Sequence, residues 1–243
     1  MKYLIALLCC LPIYLLGQPL QLGWENTYGG RNADQFYDVF EASNGYVFAV
    51  GETASDTKGG TDGLLVITDF QTGQLVARKT YGGKKNDVLR GVAQTPDGFF
   101  LLAGATESTG FGKSDGWMVK VNEKGEVVWE KTWGTGGGDE FHYIVCLPDG
   151  AAVTAGYMDD RRSGDVWLLQ VNGQETGWEK QLGKGNYENV RGLVRAHDGG
   201  LVLTGGTANS SQRRTGDIWL VKTNPKGGKL WEQFFGEKDW EEV

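Results

Sequence analysis

Apolar and polar positions along this chain fall into short, strand-length runs separated by turn residues. The turns recur roughly every 8–12 residues, which is the cadence of an all-β protein. The clearest stretch is residues 115–134. There Trp117, Val119 and Val121 alternate with Met118, Lys120 and Asn122. Beyond Glu123-Lys124-Gly125, Val127 and Trp129 alternate with Val128 and Glu130. Period-two alternation predicts strands with two unlike faces, here two strands joined by a tight turn. Upstream, Leu89–Thr95 predicts a further strand, ended by Pro96-Asp97-Gly98. Asp-Gly between apolar runs is a hairpin signal, because Gly accepts the positive φ such turns need. Phe99–Ala103 is apolar without alternation, the pattern of a strand covered on both faces.

This four-strand pattern repeats. A strand-ending Trp falls at Trp24, Trp129, Trp178 and Trp231, with Ala77 in its place once, at spacings of 53, 52, 49 and 53. The turn pairs Asn44-Gly45, Asp97-Gly98, Asp149-Gly150 and Asp198-Gly199 keep the spacings 53, 52 and 49. So do Gly51, Gly104, Gly156 and Gly205, each read as closing an apolar run. Asp62, Asp115, Asp165 and Asp217 open the following strand and are expected to accept backbone N–H bonds there. Four landmarks in register establish a repeat of about fifty residues.

One such unit cannot bury both of its faces, and radial stacking solves that in a β-propeller. A linear solenoid would use shorter coils without these hairpins. The fold expected is therefore all-β, a propeller-type array of four four-stranded antiparallel blades in an incomplete ring. The blades are expected over residues 31–83, 84–135, 136–185 and 186–236, after a lone strand over 18–30. Trp117, Trp129, Trp167, Trp178, Trp219 and Trp231 are expected to be largely buried between blades. Residues 237–243 resemble the start of a fifth repeat, and with the lone first strand they predict a chain cut from a longer protein.

Residues 1–17 stand outside the repeat. Lys2, the apolar run Tyr3–Leu16 and the small Gly17 predict a secretory signal peptide, and no membrane span in the mature chain. A lipid-anchored Cys9 or Cys10 is disfavoured, since Leu7-Leu8 are not small. Cys146 is then the one remaining thiol, expected to be a buried, inert strand residue. Losing Lys2 takes the formal charge from −7 to −8. An acidic chain without a basic tract argues against nucleic acid as a partner. A monomer is expected.

Candidate chemistry is sparse. His142 and His197 lie in different repeats, so no metal site is expected. Gly136-Gly137-Gly138 reads as a turn, since a phosphate cradle needs a helix behind it. Asp159, Asp160 and Asp165 do not have the spacing of a calcium loop. Asp139-Glu140 could suggest paired catalytic carboxylates, yet Asp34, Asp87 and Asp239 occupy corresponding places, so Asp139 reads as a turn former. No catalytic, cofactor-binding or metal residue is assigned, and no cofactor is expected.

The loops after each second strand (residues 52–61, 105–114, 157–164 and 206–216) are longer, polar and dissimilar, as functional loops tend to be. Each carries a base: Lys58, Lys113, Arg161 with Arg162, and Arg213 with Arg214. These residues mark the expected ligand face, although Asp56, Glu107, Asp159 and Asp160 share the same loops. The short turns of the opposite face suit selective recognition poorly.

The pattern Asp-x-Trp-Leu-Val-Lys-x-Asn, carried by residues 217–224, with Gly125 through Gly134, Thr80–Gly83 and Asp198–Gly205, resembles the β-propeller repeats of secreted bacterial proteins. The resemblance covers the mature chain and implies fold and export, not a reaction. Gly125 to Trp129 is more loosely similar to quinoprotein repeats, without a quinone-binding set. The function expected is a non-catalytic secreted or cell-surface module for binding or scaffolding, its partner a glycan or a cell-surface protein. The alternative is a propeller enzyme acting on carbohydrate, a hydrolase or lyase.

Overall fold

The structure is a computed structural model and describes residues 23–57, 59–159, 164–183, 187–208 and 216–236. The signal peptide expected over 1–17 and the fifth repeat expected from 237 lie outside them. The described residues contain strands and no helix. The first sheet comprises β1 (Asp34–Glu41), β2 (Tyr46–Thr53), β3 (Asp62–Asp69) and β4 (Leu75–Tyr81). The second comprises β5 (Asp87–Gln94), β6 (Phe100–Thr106), β7 (Asp115–Val121) and β8 (Val127–Trp133). β9 (Glu140–Cys146), β10 (Ala152–Asp159), β11 (Gly164–Asn172) and β12 (Glu175–Leu182) make the third. β13 (Tyr187–Arg195), β14 (Leu201–Ala208), β15 (Gly216–Thr223) and β16 (Lys229–Phe235) make the fourth.

Every sheet runs in simple 1-2-3-4 order with antiparallel neighbours. Each packs on the next in sequence. The first strands β1, β5, β9 and β13 converge from blade to blade, while the fourth strands lie far apart. That is radial stacking in an open arc, the β-propeller arrangement.

Local chemistry sets the hairpins. The first turn of each blade carries a glycine at φ 82°, 85°, 89° or 83° (Gly45, Gly98, Gly150, Gly199). This is left-handed backbone that a Cβ disfavours by about 1–2 kcal/mol. The second strands run past the glycines expected to end them: Gly51, Gly104, Gly156 and Gly205 lie inside β2, β6, β10 and β14. The reason is opposite them. In each blade the first strand inserts one extra residue between consecutive partners of the second, a β-bulge at Tyr37, Arg90, His142 and Arg191. The bulge drives the carbonyl of Gln35, Val88, Glu140 or Asn189 to within 1.8–1.9 Å of where a Cβ on the glycine would stand. Only a residue without Cβ fits there.

Apolar cores fill the junctions between blades. Phe48 stacks on Phe100 at 3.7 Å, joining the first and second blades. Phe141 lies against Trp167 at 4.7 Å in the core shared by the second and third. Val153, Ala155, Leu168 and Leu182 meet Val190, Leu203, Trp219 and Val221 between the third and fourth. The tryptophans divide in two. Trp117, Trp167 and Trp219, on third strands, are buried. Trp129 and Trp178, on fourth strands, are half-buried, and Trp231 is 44% exposed. Burial of all six was expected; the fourth strand is the outer edge of its sheet, so its Trp is covered only by the blade that follows.

A second lock ties consecutive blades together. Asp87 at the head of β5 accepts the Gly83 N–H at 2.8 Å, the Ser108 hydroxyl at 2.7 Å and the Thr106 hydroxyl. Asp34 does the same with Gly30, Ser55 and Thr53. Asp139 holds Thr135 and the Asp159 N–H. Asp87 and Asp139 each join the end of one blade to two strands of the next, and Asp34 joins Gly30 to the first blade in the same way, which accounts for the recurrence of Asp139. Of the aspartates that begin the third strands, Asp115 accepts the Phe111 N–H at 2.7 Å, as expected.

The lone strand expected over 18–30 belongs to none of the four sheets; its described part, 23–30, has no third strand beside it to complete a ladder. It lies instead against the first blade. Trp24 Nε1 donates to Phe70 O, and Asn26 Nδ2 and the Tyr28 hydroxyl both donate to Gly73 O, each at 2.9 Å.

Candidate functional site

The four bulges have a consequence that the repeat landmarks conceal. A bulge interrupts the in-out alternation of a strand and re-aims one side chain. Here it does so at the same place on four converging first strands. The residues aimed are Tyr37, Arg90, His142 and Arg191, different in chemistry from most of their neighbours, while the glycine facing each bulge is invariant.

The first three blades bring these side chains together. The Arg90 guanidinium lies over the Tyr37 ring, 4.8 Å from its centroid. Its far end reaches Glu140 at 3.4 Å. His142 Nε2 stands 3.1 Å from the same Glu140 oxygen, Oε2. On the other side, the Tyr37 hydroxyl donates to Glu52 Oε1 at 2.9 Å, and Gln35 Nε2 donates to that oxygen at 2.6 Å. The result is one polar ladder across three blades: Gln35, Glu52, Tyr37, Arg90, Glu140, His142. Tyr143 and Arg191 continue it toward the fourth blade, where the Arg191 charge is felt at the Tyr143 phenol.

Pairing and burial set the charge states. The His142 hydrogen bond, reinforced by Arg90, holds Glu140 below the usual carboxylate range against the opposing effect of burial. Burial raises the Tyr37 phenol, and its bond to Glu52 raises it further. Asp38, beside the bulge, is pushed up by burial while accepting the Val92 and Val39 N–H groups, a structural tie between β1 and β5. Arg90 Nε is buried with no hydrogen-bond partner among the described residues, so one donor of the ladder is unspent. The ladder therefore offers fixed acceptors on Glu52 and Glu140, fixed donors on Arg90 and Gln35, and an aromatic ring.

A pH effect follows. A carboxyl with a depressed folded-state pKa stabilises the fold above its unfolded pKa, and that contribution is lost as pH falls through the folded value. His142→Ala should move the Glu140 titration upward, toward the ordinary carboxylate range. Carboxyl-carbon NMR of the variant would measure this; an unmoved titration would show that His142 is not the controlling partner.

Of the basic residues expected to mark a ligand face, only Lys113 falls among the described residues. Lys58, Arg161, Arg162, Arg213 and Arg214 lie outside the described residues. Lys113 is exposed, and its backbone N–H bonds to Gly137 O across the blade junction. The polar ladder sits near the starts of the first strands, since Gln35 pairs with Glu52 near the end of β2. It thus opens toward the loop side to which those residues were assigned. At the opposite end of the first strands lies an open hollow of about 390 Å³, lined by Phe40, Gln94, Pro96, Cys146, Leu147 and Pro148 among others, without a charged side chain. Cys146, expected to be buried, is half-buried on the wall of this hollow, and partial burial pushes its thiol up to about 12. Among the described residues, no cluster of three or more His, Cys, Asp or Glu could hold a metal ion. No helix of theirs is long and apolar enough to cross a membrane.

Sequence reasoning missed the ladder. A partial signal was present: each first strand carries a large polar or aromatic side chain (Tyr37, Arg90, His142 or Arg191) directly after an apolar residue at the same place in the repeat.

No known family profile and no curated protein matches this chain. Solved structures do. An exo-β-1,3-galactanase from Clostridium thermocellum is 10% identical with a TM-score of 0.52, over 82% of this chain and 48% of that one. The β-propeller domain of the Trilobed protease from Pyrococcus furiosus is 11% identical with a TM-score of 0.44, over 84% and 57%. An acylaminoacyl peptidase from Pyrococcus horikoshii is 14% identical with a TM-score of 0.43, over 85% and 33%. The chain thus spans 33–57% of the length of these three structures. At such identities the likeness is one of fold alone.

Proposed function

We propose that this protein is a non-catalytic, exported binding module that holds a glycan at the polar ladder of its converging first strands. The observation that carries this reading is the meeting of Tyr37, Arg90, Glu140 and His142 from three successive blades at one mouth. Ligand sites are built from a few convergent polar groups with aromatic surface. Fixed donors and acceptors side by side, with a ring beside them, match the hydroxyls and apolar faces of a sugar. Export is supported by the leader pattern of residues 1–17 and by the resemblance to secreted propeller repeats.

A glycan array probed with the purified chain tests this, followed by titration of the best hit with variants. Arg90→Ala and Glu140→Gln should each weaken binding by about tenfold or more, since a lost charged hydrogen bond costs ~1.5–3 kcal/mol. Binding unchanged in both variants, or no glycan bound at all, would defeat the proposal.

A further inference from the structure

Phe111, at 81%, is the most exposed large apolar side chain among the described residues. A single apolar side chain in a slack surface loop needs no explanation, but this loop, between β6 and β7, is not slack. Asp115, itself 3% exposed, accepts the Phe111 N–H at 2.7 Å. Gly110 and Gly112 flank the ring at φ 95° and 96°. A Cβ on Gly110 would stand 2.3 Å from Asp115 Oδ2, and one on Gly112 would stand 2.7 Å from the Gly136 backbone. Beyond them the Lys113 N–H donates to Gly137 O and the Asp139 N–H to Ser114 O, each at 2.9 Å, which ties the loop to the entry of the third blade.

None of this requires an aromatic residue. Four positions before the aspartate that opens the third strand, the other repeats carry Lys58, Arg161 and Arg213. The first blade is tied to its successor by the same kind of bond, the Asp87 N–H to Thr61 O at 2.8 Å. The ring thus does little for the loop, while the loop holds the ring in water between two residues that lack side chains. Its place relative to the polar ladder follows from the sheet register. Arg90 lies three residues along β5 from Asp87, Asp87 pairs with Thr106, and Thr106 pairs with Asp115. At ~3.3 Å per residue and ~4.8 Å per strand, the Phe111 loop stands roughly 15 Å from the Arg90 seat, at the end of the strands toward which the ladder opens. That separation exceeds the width of one sugar ring.

We propose that Phe111 is the outer contact of an extended site, where an oligosaccharide held at the ladder lays the apolar face of a further sugar on this ring. The inference rests on the glycan reading given above and adds to it that the ligand is a chain rather than a single sugar. The size of the surface selects the occupant. One aromatic ring buries ~150–250 Å², whereas each partner in a stable protein interface contributes ~800 Å². A single flat ring, flanked by Gly110 and Gly112, matches the C–H face of a sugar and is too small to hold a protein by itself.

Titration calorimetry of the full chain with cello-, laminari-, manno- and xylo-oligosaccharides, each from monosaccharide to hexasaccharide, tests this. Affinity should rise about tenfold once the chain is long enough to reach Phe111. Phe111→Ala should remove that rise while leaving the affinity for the shortest bound member unchanged, and Phe111→Trp should keep it. The thermal unfolding of Phe111→Ala should match the parent, because the ring is exposed. A rise with length that survives Phe111→Ala would overturn the inference, as would equal affinity for short and long chains or no binding in any series. The ladder reading is judged separately, by whether Arg90→Ala weakens binding of the short members. Cosedimentation of the parent, but not of Phe111→Ala, with phosphatidylcholine vesicles would assign the ring to a lipid surface instead.

Discussion

Trp219→Ala should lower the free energy of unfolding by about 3–5 kcal/mol, whereas Trp231→Ala should change it by less than about 1 kcal/mol. The two residues hold neighbouring places in the fourth blade. Trp219 is 1% exposed, lies in the core between the third and fourth blades, and its indole N–H reaches Glu232 at 3.3 Å. Removing it opens a cavity that surrounding strands, fixed by their ladders, cannot close. Trp231 lies on the edge strand β16 and has no blade over it among the described residues. Urea unfolding followed by far-UV circular dichroism would measure both. Equal losses would mean that strand position does not decide burial here.

Gly104→Ala should cost about 1–3 kcal/mol or more and should also disable the polar ladder. A Cβ at residue 104 would stand 1.9 Å from Val88 O and 2.8 Å from Val88 C. Both are backbone atoms and cannot rotate away, so β5 must move, and the bulge that aims Arg90 moves with it. Gly98→Ala provides a comparison of another kind. It meets no atom within 4 Å, but its φ of 85° should cost about 1–2 kcal/mol of backbone strain without touching Arg90. Gly136→Ala, with open space and ordinary φ, should stay within about 0.5 kcal/mol of the parent. Thermal unfolding would rank the three, and glycan titration should single out Gly104→Ala. Full binding by that variant would break the link drawn between bulge and site.

The fold was legible because its landmarks serve local backbone needs that any single repeat displays. Asp97-Gly98 makes a turn whichever blade follows, and Trp117 alternating with Met118 makes a strand. The role of Gly104 was misread as a strand end because its reason lies on the partner strand, in a bulge that residue type does not announce. The ladder was illegible for a stronger reason. Tyr37 and Arg90 are 53 residues apart, and only the angle between blades brings them within reach. Within its own repeat, Arg90 looks like one polar residue in an apolar strand. Residues 24–30 show the converse: their sequence is that of a fourth strand, yet a strand forms only where a neighbour offers a ladder.

The bulge seats separate two properties that most cores entangle. Tyr, Arg, His and Arg occupy the same backbone geometry, held by the facing glycine and, in the first three blades, by the aspartate at the head of the strand rather than by the aimed side chain. Selection can therefore rewrite one seat without renegotiating the scaffold, so that specificity drifts in steps of a single residue per blade. Two chains with this frame and different residues at their four seats would share an architecture while reading different surfaces, much as words share an alphabet.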